Sequence, residues 1–173
     1  MTAETGLWYT AKRTCAEMRS SMEKTIDLYV KKEGAARENC FSTIGEAIEA
    51  MERIAPVPEE IAAELEKGRI YPSPVYEVTP FVVHIGAGEY REKLVLSRPN
   101  VTFLGEGRDK TVLVFGDGAN EIEEDGEKRG TFRTATLRID TPDFTARHLT
   151  FQNDAGYGHT VGQALALYVD GDR

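Results

Sequence analysis

The chain has 173 residues, 40% hydrophobic and 29% charged, a composition that suits one globular domain with a core and excludes a disordered one. Its formal net charge of −8 excludes the basic footprint that a nucleic-acid binder needs to neutralise phosphates. No run of 18 apolar residues is present to span a membrane, and the opening stretch MTAETGLWYTAKRTCAEMRSS lacks the apolar core of a secretory signal.

Residues 1–24 read as an N-terminal extension, where Leu7, Met18 and Met22 at loose helical spacing predict a short helix. Cys15 and Cys40 are too few for a disulfide framework or a zinc site; a single pair or two free thiols remain open. Thr25–Val30 (TIDLYV) reads as a strand, followed by a charged loop. A helix is predicted over Ile44–Ile54, with Ser42 or Thr43 as its cap and Glu46 placed to complete a capping box with Thr43. Ile44, Ala47, Ile48, Met51 and Ile54 recur at three and four, so one face is buried. Pro56 and Pro58 stop that helix, Glu59–Lys67 reads as a second, exposed one, and Gly68–Pro80 as an extended, peripheral insertion.

Phe81–Ile85 is a continuous apolar strand, buried on both sides. Gly86 and Gly88 turn the chain, and Tyr90–Leu96, Val101–Leu104 and Thr111–Phe115 read as the next strands. The acidic run Asp117–Gly130 carries no periodic pattern and reads as a solvated loop. Three further strand-like runs follow, Ala135–Ile139, His148–Gln152 and Ala164–Val169, each ending at an Asp, Asn or Gly cluster. Strands in succession with no helical pattern between them point to a solenoid or a sandwich. Val101-Thr-Phe-Leu-Gly and Leu149-Thr-Phe-Gln-Asn share one form. In a solenoid of about 24 residues per coil, that offset stacks Phe103 and Phe151 on one face; coincidence is the other reading.

Candidate chemistry is sparse. His84 and His148 fall inside strand runs, where a core or side-facing histidine is the plain reading, and His159 lies in a glycine-bounded loop near Gln163. No Gly-x-Ser-x-Gly elbow supports a Ser–His–Asp hydrolase. Asp140, Asp154, Asp170 and Asp172 sit at strand ends, where turn chemistry explains them. The acidic stretch Glu121–Glu127 could attract calcium but lacks the EF-hand pattern.

Six segments carry a resemblance, and they do so in order. They are FSTIGEAIEA (41–50), PFVVHIGAGEYREKLVL (80–96), VTFLGEGRDKTVLVFGD (101–117), TFRTAT (131–136), FTARHLTFQNDAG (144–156) and QALALYVDGDR (163–173). Together they resemble successive blocks of the pectin methylesterase family, over roughly Thr25 to Arg173. The resemblance implies an all-β fold, a right-handed parallel β-helix of the pectin-lyase-like kind, over residues 25–173. The 44–54 helix would cap its N-terminal end, since uncovered strand edges invite aggregation. It implies a carboxylic ester hydrolase acting on methyl-esterified polygalacturonate (pectin), with no metal or organic cofactor, no nucleic-acid or membrane partner, and a monomer when full length. It also implies an extracellular location.

The family is expected to use one aspartate as nucleophile and a second as acid then base, an arginine to orient the nucleophile, and glutamine amides for the oxyanion. Gln163, heading QALAL, matches a glutamine of that oxyanion set, and Thr131, heading TFRTAT, matches a threonine lining the substrate cleft. The loop before Gln163 is slightly longer than the family pattern. The blocks with both aspartates, the second glutamine and the arginine are expected beyond Arg173, so this chain alone is expected to lack esterase activity and to be poorly soluble. Two other classes stay open: a non-catalytic oligosaccharide-binding module, for which Tyr157 and Tyr168 are the nearby aromatics, and a calcium-dependent pectate lyase-like enzyme.

Overall fold

In the computed structural model, which describes residues 25–31, 38–67 and 78–171, the short apolar runs stack as parallel strands on three faces. Sheet A runs β2 (Cys40–Phe41), β1 (Ile26–Val30), β3 (Phe81–Ile85), β6 (Val101–Gly105), β9 (Phe144–Arg147). Sheet B holds β4 (Gly88–Arg91), β7 (Thr111–Phe115) and β10 (Thr150–Asn153). Sheet C holds β5 (Leu94–Leu96), β8 (Leu137–Ile139) and β11 (Leu167–Val169). From β3 onward the chain visits A, B and C in turn, and every named strand pair is parallel. This is a parallel β-helix. The expected helix within 1–24, Cys15 and Asp172 lie outside the described residues.

Period-two alternation turns each short run into one rung of a ladder, because alternate side chains point into the bore. Leu28, Val83 and Phe103 are paired in register on sheet A, Tyr90 and Leu113 on sheet B, and Leu94 and Leu137 on sheet C. All of them are buried, and together with Leu96 and Ile139 they form one continuous core. The next inward positions on sheet C, Leu167 and Val169, are 37% and 53% exposed. Fully burying each such side chain is worth about 1.5–3 kcal/mol, so the core rests on the rungs that have neighbours on both sides.

Helix α1 (Ile44–Ile54) lays Ile44, Ala47 and Met51 on the β1 end of that core. Its start is built as predicted, with Thr43 accepting from the Glu46 amide and the Glu46 carboxylate accepting from the Thr43 amide. Glu92, from the corner between β4 and β5, accepts from the amides of Ile44 and Gly45 at 3.0 and 2.9 Å, tying the cap to the stack. A carboxylate at orphan amides of a helix start is favourable by charge as well as by hydrogen bonding. Thr43→Ala is expected to cost about 1 kcal/mol. The check is the shift of the urea midpoint, which a merely decorative cap would leave in place. Helix α2 (Glu59–Glu66) follows, and within it Ile61 is buried.

Several strand boundaries differ from expectation because the β-helix turns corners that a linear pattern does not mark. Tyr90–Leu96 is two strands on two sheets, broken at Glu92-Lys93. Phe144–Arg147 and Thr150–Asn153 are likewise separate, with His148 at φ 57 forming the corner rather than lying within a strand. Gly105 is required opposite that corner, since a Cβ there would collide with the His148 carbonyl. Ala135 and Ala164 precede their strands, and a one-turn helix α3 (Gly158–Val161) interrupts the last coil. Phe103 and Phe151 do not share a face: Phe103 pairs with Ala146 on sheet A, and Phe151 with Leu113 on sheet B. Coil lengths are unequal, because the insertion between β7 and β8 breaks any constant offset.

Candidate active site

That insertion is an ordered structure. Ile122 and Lys128 form an antiparallel bridge, and the Arg129 guanidinium lies against three carboxylates, those of Asp117, Glu121 and Glu123. Its Nη1 sits within ion-pair reach of Asp117 and Glu121 without good hydrogen-bond alignment, while Nε donates to Glu123 at 2.9 Å. The hydrogen bond to Glu123, with the Asp117 and Glu121 charges, raises the Arg129 pKa further above its ordinary value against a smaller effect of burial. Lys93 pairs with Asp117, which is only 6% exposed, and also donates to the Arg133 carbonyl at 2.7 Å. The acidic loop is therefore solvated over residues 124–128, as expected, but anchored at its ends by an ion network. Its sequence shows no periodic signal because its order comes from charge pairing.

The network delivers a 3-10 turn, Thr131–Arg133, to the N-terminal end of β8. Against that turn comes the segment preceding β11, where the Thr131 hydroxyl donates to Gln163 Oε1. The two residues singled out from sequence, 32 positions apart, thus meet. With Oε1 occupied, the Gln163 side-chain NH2 has no partner among the described residues, and Gln163 is exposed. An amide oriented this way can donate to an oxygen that gains charge. Segment 161–163 is held by backbone bonds from Ala119 and Asn120 to the carbonyls of Gln163 and Val161, each 2.9 Å. Gly118 permits the approach, since a Cβ there would lie 2.6 Å from the Val161 carbonyl oxygen.

From this pair, the outer face of sheet C runs along the strands. Val95, Arg138 and Tyr168 are in register on it. Arg138 lies 5.4 Å over the Tyr168 ring and donates from Nε to both oxygens of Asp140 at 2.7 and 2.8 Å. Phe132, 65% exposed, has its ring 5.5 Å from Tyr168. Sequence reasoning passed over Phe132 and Arg138, although both lie within or just past the TFRTAT block. At the far, C-terminal end of the same face, a cavity of about 660 Å³ is lined by Ile48, Leu65, Arg98, Asp140 and Asp170 among others. The pair Thr131–Gln163 does not line it.

The other candidates fall elsewhere. His84 lies on sheet A, stacked on Tyr29 at 4.8 Å and bonded through Nε2 to Asp27 at 2.6 Å. His159 is in α3 with its ring 6.0 Å from that of the exposed Tyr157. Asp154 is paired with Arg91, and this hydrogen bond holds its carboxyl below the usual aspartate range despite some opposing desolvation. Asp140 is engaged by Arg138, and Asp170 follows β11 with its amide bonded to the Ile139 carbonyl. Among the described residues, no group of three His, Cys, Asp or Glu could hold a metal ion.

Because the Asp154 pKa is lowered by folding, its contribution to stability is present above the ordinary aspartate pKa and is lost as pH falls through the lowered value. Asp154→Asn is expected to flatten the acid limb of the unfolding midpoint plotted against pH, and to leave the slope above pH ~6 unchanged. An identical acid limb in both proteins would show that the Arg91 pair carries no linkage.

Comparison with known proteins gives one family. The family model described as Pectinesterase matches residues 67–173. Pectinesterase A of Dickeya chrysanthemi is 36% identical over 109 residues, covering 55% of this chain and 30% of its own length. Probable pectinesterase/pectinesterase inhibitor 23 of Arabidopsis thaliana is 39% identical over 99 residues, 54% of this chain and 16% of its own length. A crystal structure of pectin methylesterase in complex with a hexasaccharide superposes with a TM-score of 0.65 at 29% identity, covering 86% of this chain and 41% of that one. The chain thus spans 30% or less of these two curated relatives.

Proposed function

We propose, for a chain that belongs to the pectinesterase family, that the protein it forms hydrolyses the methyl esters of polygalacturonate, releasing methanol and leaving pectate. The observation that carries the reading is the meeting of Thr131 and Gln163 at one end of sheet C, within the matched residues. In the proposed reaction a carboxylate attacks the ester carbonyl, and the Gln163 NH2 donates to the oxygen that becomes negative. A second carboxyl gives its proton to the departing methanol, then takes one from the water that hydrolyses the acyl–enzyme. Thr131 orients the glutamine amide by donating to its oxygen. Neither reacting carboxylate is assigned within this chain, where Asp154 and Asp140 are already ion-paired.

The proposed substrate is a methylated galacturonate polymer lying along the outer face of sheet C, with the exposed Phe132 and the half-buried Tyr168 as ring-stacking surfaces beside the oxyanion donor. A polymer of the cell wall is met outside the cell, so the proposal carries an extracellular site of action. We take the full-length enzyme to be monomeric.

The test is methanol release from methylated pectin by the 173-residue chain and by a chimera. In the chimera, the part of a full-length pectinesterase that follows this region is joined after Arg173. Release by the chimera alone supports the esterase and assigns the reacting carboxylates to the joined part. Release by the 173-residue chain would overturn that assignment and return attention to its own carboxylates. Binding of pectin with no release by either protein would favour an oligosaccharide-binding module.

A further inference from the structure

We infer that Asn153 is a positioning residue, which sets the Thr131–Gln163 pair by clamping three chain segments to the end of β10. The inference rests on the reading of Gln163 as the amide donor. Asn153 Nδ2 lies 3.0 Å from each of the carbonyls of Asp117, Thr134 and Leu165, its two hydrogens shared among the three, while its Oδ1 accepts from the Ala155 amide at 3.0 Å. The orientation of the amide is thereby fixed, since a flipped group would aim its oxygen at three carbonyls. Those carbonyls belong to the first residues of the insertion, to the residue closing the Thr131–Arg133 turn, and to the segment two residues after Gln163.

A second internal side chain completes the clamp. Thr134 is fully buried; its hydroxyl donates to the Thr131 carbonyl at 2.7 Å and accepts from the Leu165 amide at 3.0 Å. Asn153 and Thr134 therefore grip both sides of the pair from beneath, and neither lies at the exposed amide itself. Thr131 lies in the 3-10 turn and Gln163 in the segment between α3 and β11, both outside the strand ladders. An oxyanion donor must be held to within a fraction of an ångström, and these two side chains add to the backbone bonds from Ala119 and Asn120 in holding it.

The test uses the 15N-labelled 173-residue chain, with the Gln163 side-chain NH2 resonances assigned by their loss in Gln163→Glu. Asn153→Asp keeps the shape and removes the donors, and Thr134→Val keeps the shape and removes the hydroxyl. Both are expected to shift or broaden the Gln163 NH2 signals, whereas Thr43→Ala, a destabilising change at the far cap, leaves them in place. In the chimera, Asn153→Asp is expected to lower kcat by about 10- to 100-fold with little change in KM, and to add little to the loss already produced by Gln163→Ala.

Gln163 signals unmoved in folded Asn153→Asp and Thr134→Val proteins would overturn the inference. So would a loss confined to KM, or full additivity with Gln163→Ala. If the wild-type chimera releases no methanol, the proposed esterase reaction falls, while the NH2 signals still decide whether Asn153 positions Gln163.

Discussion

Gln163→Ala in the chimera is expected to lower kcat for methanol release by about 100- to 1,000-fold with KM nearly unchanged, the range for losing one oxyanion donor. The reason is differential. A glutamine NH2 that meets the ester oxygen only once it carries charge stabilises the transition state and contributes little to ground-state binding. Gln163→Glu is the sharper variant, because it replaces the donor with a negative charge beside the developing one. The Thr131 hydroxyl would still donate to the carboxylate, so the side chain keeps its anchor while losing its donor. Kinetics with the two variants read out the assignment. A rise in KM with kcat preserved would make Gln163 a substrate-binding residue, and no change in either would remove it from the site.

Phe103→Ala is expected to destabilise the 173-residue chain by about 3–5 kcal/mol, a large part of the roughly 5–15 kcal/mol that holds a domain of this size. Phe103 is fully buried, in register between Val83 and Ala146, and its ring meets Phe144 edge-on at 5.2 Å. Truncation opens a void in the middle of a stack whose neighbours are fixed by backbone ladders and cannot collapse into it. Phe151, the other phenylalanine of the shared pattern, is only partly buried and packs against the edge of the core. Phe151→Ala is expected to cost less, about half as much or below. Urea unfolding of the two variants decides it. Equal losses would mean that the rungs are not graded by their neighbours as the burial pattern implies.

The difference between those two residues shows where linear reading stopped. The Thr-Phe pattern is visible at both places, yet a one-residue corner at His148, with positive φ, sends the second run onto sheet B. The same limit hid the break at Glu92-Lys93. Conversely, the capping box at Thr43 and Glu46 was legible to the residue, because a cap is a contact across three positions. Strand existence was legible too, since alternation and flanking turn residues are local.

The ordered blocks from residue 41 to 173 carried the family and the fold, and the residues Thr131 and Gln163 with them. What composition and periodicity could not convey was that these two would touch, or what would hold them. Their meeting depends on Arg129 gathering Asp117, Glu121 and Glu123, and on Asn153 binding carbonyls 12, 19 and 36 positions away. The amino-acid sequence by itself determined the short strands, the capped helix and the family, because each is written in neighbouring residues or in their order. Only the tertiary structure decided which face each strand joined and how the site was assembled, because ion networks and side-chain clamps link residues whose spacing follows no period.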